Sequence, residues 1–301
     1  MQKLKVLVLG SGGQLGKELK YNLTKNVSTI FFDKEKLDIT NYDLLKNKIN
    51  NFDPSIIINA AAFTNVNKAE ENKKEAFSVN SDAVGFLSNL IAKKDIWLIH
   101  FSTDYVFDGK KNLKYEESDL TKPLNIYGMS KLSGEKKIIQ SCCKHIIFRT
   151  SWVYGEYGYN FIKKIFNIAK TKQKISVVSD QKGVPTSTYL ICRIINKLIQ
   201  DISMDNFWTP GIYHLVPNGR TTWFEMAQEV AGELSDLRED MEDTQTLDLY
   251  SQSVQTTKRR AMRFVDGEIG EKDDEDDEDE LKNVDKRYKT RDGYLRDGFT
   301  V

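Results

Sequence analysis

Short apolar runs alternate with amphipathic stretches along the first 150 residues of the chain. The runs cover residues 4–9, 28–32, 56–58, 97–101 and 145–149. Continuous apolar runs of this length are typical of strands that are buried on both faces. Between them, the periodicity of apolar residues predicts helices over residues 16–24, 41–50, 75–93 and 130–140, as in the spacing of Leu15, Leu19 and Leu23.

This alternation predicts an α/β fold, a Rossmann-type doubly wound parallel sheet, because parallel strands need helical crossover connections. We assign residues 1–150 to this dinucleotide-binding domain and expect residues 175–205 to return to it. Residues 151–174 and 206–230 are assigned to a smaller substrate-binding part.

The last 71 residues differ in composition from the rest. Residues 231–301 hold 21 acidic and 12 basic side chains, and residues 273–280 are eight consecutive acids. All five prolines precede residue 218. A segment so charged buries too little apolar surface to offset the entropy of ordering. We therefore expect a divergent charged tail over 231–301, disordered at least over 266–290.

Composition excludes several classes of protein. The whole chain balances 44 basic against 44 acidic residues, so nucleic-acid binding is not indicated, and no apolar run is long enough to span a membrane. The three cysteines form no disulfide framework, and the three histidines have no zinc spacing, so no metal site is predicted. A cytoplasmic protein, monomeric or homodimeric, is expected.

A glycine-rich turn follows the first predicted strand. Glycine lets the backbone approach a phosphate closely, and the helix N-terminus that follows offers free N–H groups to a pyrophosphate. Asp33, at the end of the second strand, occupies the position of a ribose-binding acid, although it is equally suited to forming a turn. The turn residues expected at a dinucleotide are Gly10, Gly12, Gly13, Gln14, Leu15 and Gly16.

A tyrosine and a lysine with helical spacing form the second candidate site. Tyr127 and Lys131 lie at i and i+4, so they share one side of a helix, and a nearby ammonium lowers the pKa of a phenol. Thr103 follows the fourth strand, at the edge where open α/β sheets bind ligands. The pattern predicts acid–base chemistry at a carbonyl or alcohol carbon. The spacing alone also fits an ordinary surface pair.

Several segments together resemble one family. They are residues 59–64 (NAAAFT), 102–109 (STDYVFDG), 123–128 (PLNIYG), 149–155 (RTSWVYG), 180–186 (DQKGVPT) and 211–215 (GIYHL). In this order and over residues 4 to about 230, they resemble the dTDP-4-dehydrorhamnose reductases, which belong to the extended short-chain dehydrogenases.

The resemblance implies an activity and its residues. That family reduces the C4 ketone of dTDP-4-dehydro-L-rhamnose with NADPH or NADH; we favour NADPH, while Lys34 and Asp33 leave the choice open. Bound Mg²⁺ is compatible with the sequence but not indicated by it. The resemblance makes Tyr127 the general acid, makes Lys131 the residue that lowers its pKa and binds the nicotinamide ribose, and gives Thr103 a hydrogen bond to the reacting oxygen.

The resemblance implies further contacts as well. The residues expected at the cofactor are Asp38, Ile39, Ala60, Ala61, Ala62 and Asn80. Those expected at the sugar nucleotide are Thr103, Asp104, Tyr105 and Trp152, although Trp152 also fits a core aromatic.

Two departures from the family leave alternatives open. Asn67 stands where the family usually has an aspartate, and no proline-containing segment of the family's C-terminal type follows Pro217. Another NDP-sugar reductase, epimerase or dehydratase of this fold is one alternative. A non-catalytic cofactor-binding subunit, like the regulatory partner of methionine adenosyltransferase, is a second, and an interaction protein with an acidic tail is a third.

Overall fold

The computed structural model describes residues 3–170, 174–204 and 208–242, with side chains in the last helix only as far as residue 232. Within these residues the chain divides into two compact units. The first unit contains residues 3–150 and 191–215. The second contains residues 151–190 and the described chain from residue 216 onward.

The strands and helices alternate through most of the first unit. The strands are β1 (Lys5–Leu9), β2 (Ser28–Phe32), β3 (Ile56–Asn59), β4 (Trp97–Thr103), β5 (His145–Thr150), β6 (Val153–Tyr154), β7 (Lys182–Gly183), β8 (Thr186–Ser187), β9 (Gly211–His214) and β10 (Thr221–Thr222). The α-helices are α1 (Gln14–Asn22), α2 (Tyr42–Phe52), α3 (Val66–Glu71), α4 (Lys73–Phe77), α5 (Ala83–Ile91), α6 (Ile126–Ser141), α7 (Phe161–Ala169), α8 (Thr188–Ser203) and α9 (Trp223–Glu242). A π-helical segment, Ser78–Asp82, joins α4 to α5, and a 3₁₀ turn, Asp104–Val106, follows β4.

The first unit is built on a six-stranded sheet in the order β2-β1-β3-β4-β5-β9. Every neighbouring pair is parallel. The strand order reverses between β1 and β3, and ligands of open α/β sheets bind at such a switch point, outside the carboxyl ends of the strands. The predicted Rossmann-type fold is confirmed.

Burial explains why the short apolar runs became central strands. The residues of β3 are all buried, as are the last four of β1, and the apolar ones among them are fully buried. Each such aliphatic side chain contributes about 1.5–3 kcal/mol to folding. The helices cover this core with Leu45 and Ile49 of α2 and with Leu87 and Ile91 of α5.

Two predicted helices differ from the observed ones in an informative way. The helix expected over 75–93 is divided, because five residues adopt the wider π turn between α4 and α5. The helix expected over 130–140 begins earlier, at Ile126, because the Asn125 side chain accepts a hydrogen bond from the Gly128 N–H at 2.7 Å and caps it. Tyr127 therefore lies in the first turn of α6.

The second unit has its own small core. Ile162, Ile165 and Phe166 of α7 pack with Met226 and Val230 of α9. Two short strand pairs accompany these helices, β6 with β8 in parallel and β7 with β10 in antiparallel orientation.

Two sequence expectations concern features beyond these elements. The disorder expected over 266–290 lies outside the described residues, as does most of the predicted tail; residues 231–242 belong to α9. In the part of the chain that the structure describes, no helix combines the length and apolar character needed to cross a membrane. The same residues contain no cluster of metal-binding side chains.

Candidate active site

The glycine turn connects β1 to α1 at the carboxyl edge of the sheet. Gly10 has a φ of +79°, a left-handed conformation that favours glycine, and the Gly13 N–H donates to Gly10 O at 3.1 Å. A Cβ on Gly16 would lie 2.2 Å from Gly10 O, so this glycine allows the helix to start against the turn. No side chain caps the N-terminus of α1 at Gly13, which leaves the helix terminus suited to an anion.

The turn after β3 packs directly on the glycine turn. A Cβ on Gly10 would meet the Ala61 backbone nitrogen at 2.5 Å, and Ala60 N–H donates to Leu9 O at 3.0 Å. The segment Ala60–Ala62 is therefore at the same edge of the sheet as the glycine turn, where the sequence predicted it.

Asn80 ties this second turn to α6. Its side-chain amide accepts from Phe63 N–H at 2.8 Å and donates to Phe63 O at 2.9 Å, and it also donates to Ser130 Oγ at 3.0 Å. Asn80 lies in the π-helical segment, and such segments are frequent at functional sites. The residue thus holds the turn beside the lysine that follows Ser130.

Thr103 and Asp104 lie where β4 ends. Thr103 is buried, its hydroxyl donates to Asp104 Oδ1 at 3.0 Å, and it accepts from Tyr105 N–H at 3.2 Å. Burial raises the pKa of Asp104 to about 6, against the hydrogen bond from Thr103, which lowers it. Tyr105 is 40 % exposed. These three residues form one polar edge on the first unit.

Tyr127 is held beside this edge. Its ring meets Tyr105 edge-on, with centroids 5.7 Å apart, and its phenol interacts with the Thr103 hydroxyl. Close approach of the helix is permitted by Gly128, whose Cβ would otherwise lie 2.2 Å from Tyr105 O. The structure therefore brings Thr103 and Tyr127 together.

The protonation of Tyr127 differs from the expectation. The sequence predicted that Lys131 lowers the pKa of the phenol. In the structure, burial raises the pKa of Tyr127, with smaller contributions in the same direction from Asp104 and Tyr105, and only the Thr103 hydrogen bond lowers it. The ammonium effect is missing because Lys131 Nζ is turned to Phe101 O, at 2.5 Å. The phenol is thus protonated at neutral pH, the state that a proton donor requires.

Lys131 is among the most buried charged residues, with 2 % of its surface exposed. Besides Phe101 O, its Nζ lies 3.3 Å from His100 Nε2. Burial lowers the pKa of Lys131 to about 8, while the charge of Glu135 raises it. The side chain can therefore change protonation near neutral pH.

The predicted adenosine-binding residues occupy different environments. Asp33 accepts from Lys36 N–H at 3.0 Å, so it forms a turn, and its Cβ lies near the position that a Gly12 Cβ would take. Asp38 accepts from Thr40 N–H and Oγ1 at 2.9 and 2.7 Å; burial would raise its pKa, but these bonds lower it. Ile39 is buried in the main hydrophobic core.

Trp152 belongs to the second unit. Its backbone is left-handed, with φ at +44°, and its indole stacks on Trp223. A Cβ on Gly183 would lie 2.2 Å from the same indole. The ring is thus fixed within its own unit.

Sequence reasoning did not assign a role to three buried residues around the lysine. Glu135 receives hydrogen bonds from Arg149 at 2.8 and 3.1 Å, and the pair is buried. His100 bridges Lys131 and Asn59. A polar residue inside an apolar strand was the available signal for His100, and its position one strand away from Asn59 required the register.

Comparison with known proteins agrees with the segments that the sequence singled out. The family model described as "RmlD substrate binding domain" matches residues 4–263, beyond the limit of about 230 expected from the motifs. The dTDP-4-dehydrorhamnose reductase of Aggregatibacter actinomycetemcomitans is 40 % identical over 225 residues, covering 74 % of this chain and 76 % of the relative. That of Escherichia coli K12 is 38 % identical over 228 residues, with the same coverage of each chain.

Solved structures agree with this. The dTDP-4-dehydrorhamnose reductase of Bacillus anthracis in complex with NADP is 36 % identical, with a TM-score of 0.74, and the match covers 78 % of this chain and 82 % of that one. The UDP-glucose 4-epimerase of Brucella ovis, at 15 % identity and a TM-score of 0.66, shares the fold alone over 75 % of this chain and 81 % of that one. The chain therefore belongs to the family of dTDP-4-dehydrorhamnose reductases that the RmlD model describes.

Proposed function

We propose that the protein reduces the C4 ketone of dTDP-4-dehydro-L-rhamnose to dTDP-L-rhamnose with NADPH. The observation that carries this proposal is the arrangement of Thr103, a protonated Tyr127 and a buried Lys131 on the unit that also carries the glycine turn. Relatives with the name of this activity, and one of them in complex with NADP, support the choice of substrate and cofactor.

The glycine turn fits a dinucleotide. The left-handed Gly10, the Cβ-free Gly16 and the N-terminus of α1, where no side-chain cap is made, form a backbone cradle for a pyrophosphate. Ala60 to Ala62 and Asn80 line the cradle on the β3 side in this proposal. When bound, NADPH supplies the hydride that adds to the ketone carbon; NADH is the alternative cofactor.

The protein's own residues supply the proton and the orientation. The Tyr127 hydroxyl donates its proton to the ketone oxygen, and its raised pKa keeps that proton available at neutral pH. The Thr103 hydroxyl hydrogen-bonds the same oxygen and so orients it. Lys131 binds the ribose hydroxyls of the cofactor and takes part in returning a proton to Tyr127, which its pKa of about 8 permits.

The sugar nucleotide is assigned to residues of both units. Asp104 and Tyr105 follow Thr103 at the end of β4, and Trp152 supplies an aromatic face for the sugar in this proposal. A cytoplasmic location, a monomeric or homodimeric state and the division into a cofactor domain and a substrate domain remain predictions that belong with this function.

One experiment separates this proposal from the alternative of a non-catalytic subunit. Purified protein is mixed with NADPH and dTDP-4-dehydro-L-rhamnose, the loss of reduced-cofactor absorbance is followed, and the product is identified by mass spectrometry. We expect stoichiometric NADPH oxidation and dTDP-L-rhamnose. Calorimetry with NADPH alone is the control, because binding without turnover would identify a cofactor-binding subunit instead.

A further inference from the structure

A buried histidine, His100, lies against the active-site lysine and has no part in the function proposed above. It is fully buried on β4, three positions before Thr103. Its Nε2 is 3.3 Å from Lys131 Nζ, and its Nδ1 is 3.2 Å from Asn59 Nδ2. Asn59 is its direct partner in the parallel register of β3 and β4. The imidazole thus bridges the end of β3 and α6.

The backbone after β3 fixes the orientation of the Asn59 amide. Ala61 N–H donates to Asn59 Oδ1 at 3.2 Å. A backbone N–H is a donor only, so the atom that faces it has to be the amide oxygen. An inverted amide would place its NH₂ against another N–H. The NH₂ of Asn59 therefore faces His100.

The Asn59 amide in turn fixes the tautomer of His100. An NH₂ group only donates, so Nδ1 of the imidazole accepts, and a neutral ring then carries its proton on Nε2. The ring is neutral because burial holds the pKa of His100 well below its usual value, with the charge of Lys131 acting in the same direction. The Nε2–H bond of His100 consequently points toward Lys131 Nζ.

This direction matters for the lysine. An ammonium has three donors and no acceptor, so an Nε2–H that faces it is an unfavourable contact, whereas a neutral amine accepts the hydrogen bond with its lone pair. The amine still donates to Phe101 O at 2.5 Å. The contact and the burial of Lys131 therefore act in the same direction, and both favour the neutral form.

We propose that His100 is a positioning residue for Lys131: held by Asn59 as its Nε2–H tautomer, it holds Nζ beside β4 and lowers the affinity of the lysine for a proton. A lysine of this kind exchanges its proton near neutral pH, as a residue one helical turn from the proton donor Tyr127 needs. The inference rests on the proposed function only for its effect on turnover.

The other charged groups around Lys131 act differently. Glu135, on the same helix, favours the ammonium. Its carboxylate is bound by Arg149 of β5 through two hydrogen bonds and by Ser102 of β4 through a short one. These bonds fix and partly neutralise the carboxylate, and β3 contributes only the neutral Asn59. His100 is thus the neighbour on β4 that opposes Glu135.

The tautomer can be measured without any activity. Nitrogen-15 NMR of the imidazoles distinguishes a protonated from an unprotonated ring nitrogen, and the His100→Gln variant identifies the His100 signals among those of the three histidines. We expect Nε2 protonated and Nδ1 unprotonated in the wild-type protein. In Asn59→Asp, a carboxylate faces Nδ1, so the proton should move to Nδ1. A wild-type ring protonated on Nδ1 would overturn the inference.

The effect on Lys131 is measured by the pH dependence of kcat/KM. His100→Leu removes the opposing N–H, so the basic limb of the profile should move up by about one pH unit. His100→Gln, which keeps a donor at this position, should leave the limb in place. Asn59→Asp should move it upward through the reversed tautomer. Equal loss of rate in all variants with an unmoved limb would mean a packing role only and would refute the inference.

The two proposals fail in distinguishable ways. If the wild-type protein does not oxidise NADPH with the sugar nucleotide, the proposed function fails, and the imidazole tautomer still decides the inference about His100. If His100→Leu does not fold, as judged by circular dichroism, the wild-type tautomer and the Asn59→Asp profile decide it.

Discussion

Trp152 and Trp223 lie face to face in the second unit, with ring centroids 3.6 Å apart and planes inclined by 11°. Trp152 is one of three non-glycine residues with a positive φ in the described part of the chain. A left-handed tryptophan backbone costs of order 1 kcal/mol or more and persists only where its surroundings hold it. The stack, together with Gly183 beneath the indole, supplies that support.

We expect that Trp223→Leu weakens the binding of dTDP-L-rhamnose and leaves NADPH binding unchanged. The substitution removes an aromatic stack worth about 0.5–1.5 kcal/mol, which corresponds to a loss of affinity of about two- to tenfold if Trp152 contacts the sugar. Isothermal calorimetry with each ligand measures both affinities.

The matched control for this substitution is Trp223→Phe, which keeps a ring against Trp152 and should retain most of the affinity. The centroid of Phe161 is 4.4 Å from that of Trp223, so the site already accommodates several aromatic rings. Unchanged sugar affinity in Trp223→Leu would remove Trp152 from the sugar site.

Tyr127→Phe should lower kcat by about 10²–10⁴-fold, because it deletes the proposed proton donor and keeps the ring. The edge-on contact with Tyr105 does not need the hydroxyl, so the fold and the NADPH affinity should be preserved. Tyr21→Phe, at a tyrosine that is 62 % exposed, is the control for loss of a phenol elsewhere. Stopped-flow measurement of NADPH oxidation under single-turnover conditions gives the rate, and wild-type speed in Tyr127→Phe would disprove its role.

The sequence predicted the sheet and the edge that carries the site because both follow from local patterns. Apolar runs specify buried strands, and Gly10, Thr103 and Tyr127 each stand next to an element boundary that the pattern locates. The π-helical segment at Asn80 was not predicted, because it depends on hydrogen bonds to residues 17 and 50 positions away. The left-handed backbone of Trp152 likewise depends on Trp223.

The protonation state of the site was beyond the sequence for a similar reason. The i, i+4 spacing of Tyr127 and Lys131 indicated an ammonium near the phenol. Whether that ammonium acts on the phenol depends on where Nζ finds acceptors, and here they are Phe101 O and His100 on β4. Only the packing of α6 against the sheet decides this.

Acid should destabilise the protein partly through His214. Burial, followed by the charge of Arg149, lowers the pKa of His214 from 6.5 to about 4. Below pH 6.5 the unfolded chain therefore takes up a proton that the folded protein takes up only near pH 4, so stability falls as the pH falls between these values. The full contribution is about 3 kcal/mol.

Comparison with His214→Phe isolates this effect, since the raised pKa of Asp104 acts in the opposite direction in both proteins. The free energy of unfolding is measured with urea at several pH values. We expect wild-type stability to fall relative to the variant between pH 6.5 and 4; a constant difference would show that the His214 imidazole has an ordinary pKa in the folded protein.

Lys34 should favour NADPH over NADH. It follows Asp33 at the end of β2 and lines a groove with Asp38, Thr40 and residues of α4, where its Nζ lies 3.9 Å from Glu75 Oε1. An exposed lysine that pairs with a 2′-phosphate contributes up to about 1 kcal/mol, so Lys34→Ala should weaken NADPH binding about two- to fivefold and leave NADH binding unchanged. Lys36→Ala is the control, since Lys36 pairs with Asp33 at 3.7 Å. Equal effects on both cofactors would show that another residue contacts the phosphate.

The glycine turn offers a pair of substitutions that separate cofactor binding from folding. Gly13 has an extended backbone, with φ at −75° and ψ at 175°, and a Cβ there would meet nothing closer than Gly10 O at 3.4 Å. Valine is compatible with this conformation, so Gly13→Val should leave the melting temperature nearly unchanged. Its branched side chain would occupy the space in front of the N-terminus of α1, and NADPH affinity should fall by at least tenfold. Gly16→Ala should instead lower the melting temperature, because its Cβ would lie 2.2 Å from Gly10 O. Differential scanning calorimetry and NADPH titration of both variants test this. Normal NADPH affinity in Gly13→Val would show that the dinucleotide does not bind at this helix terminus, since the fold of that variant is intact.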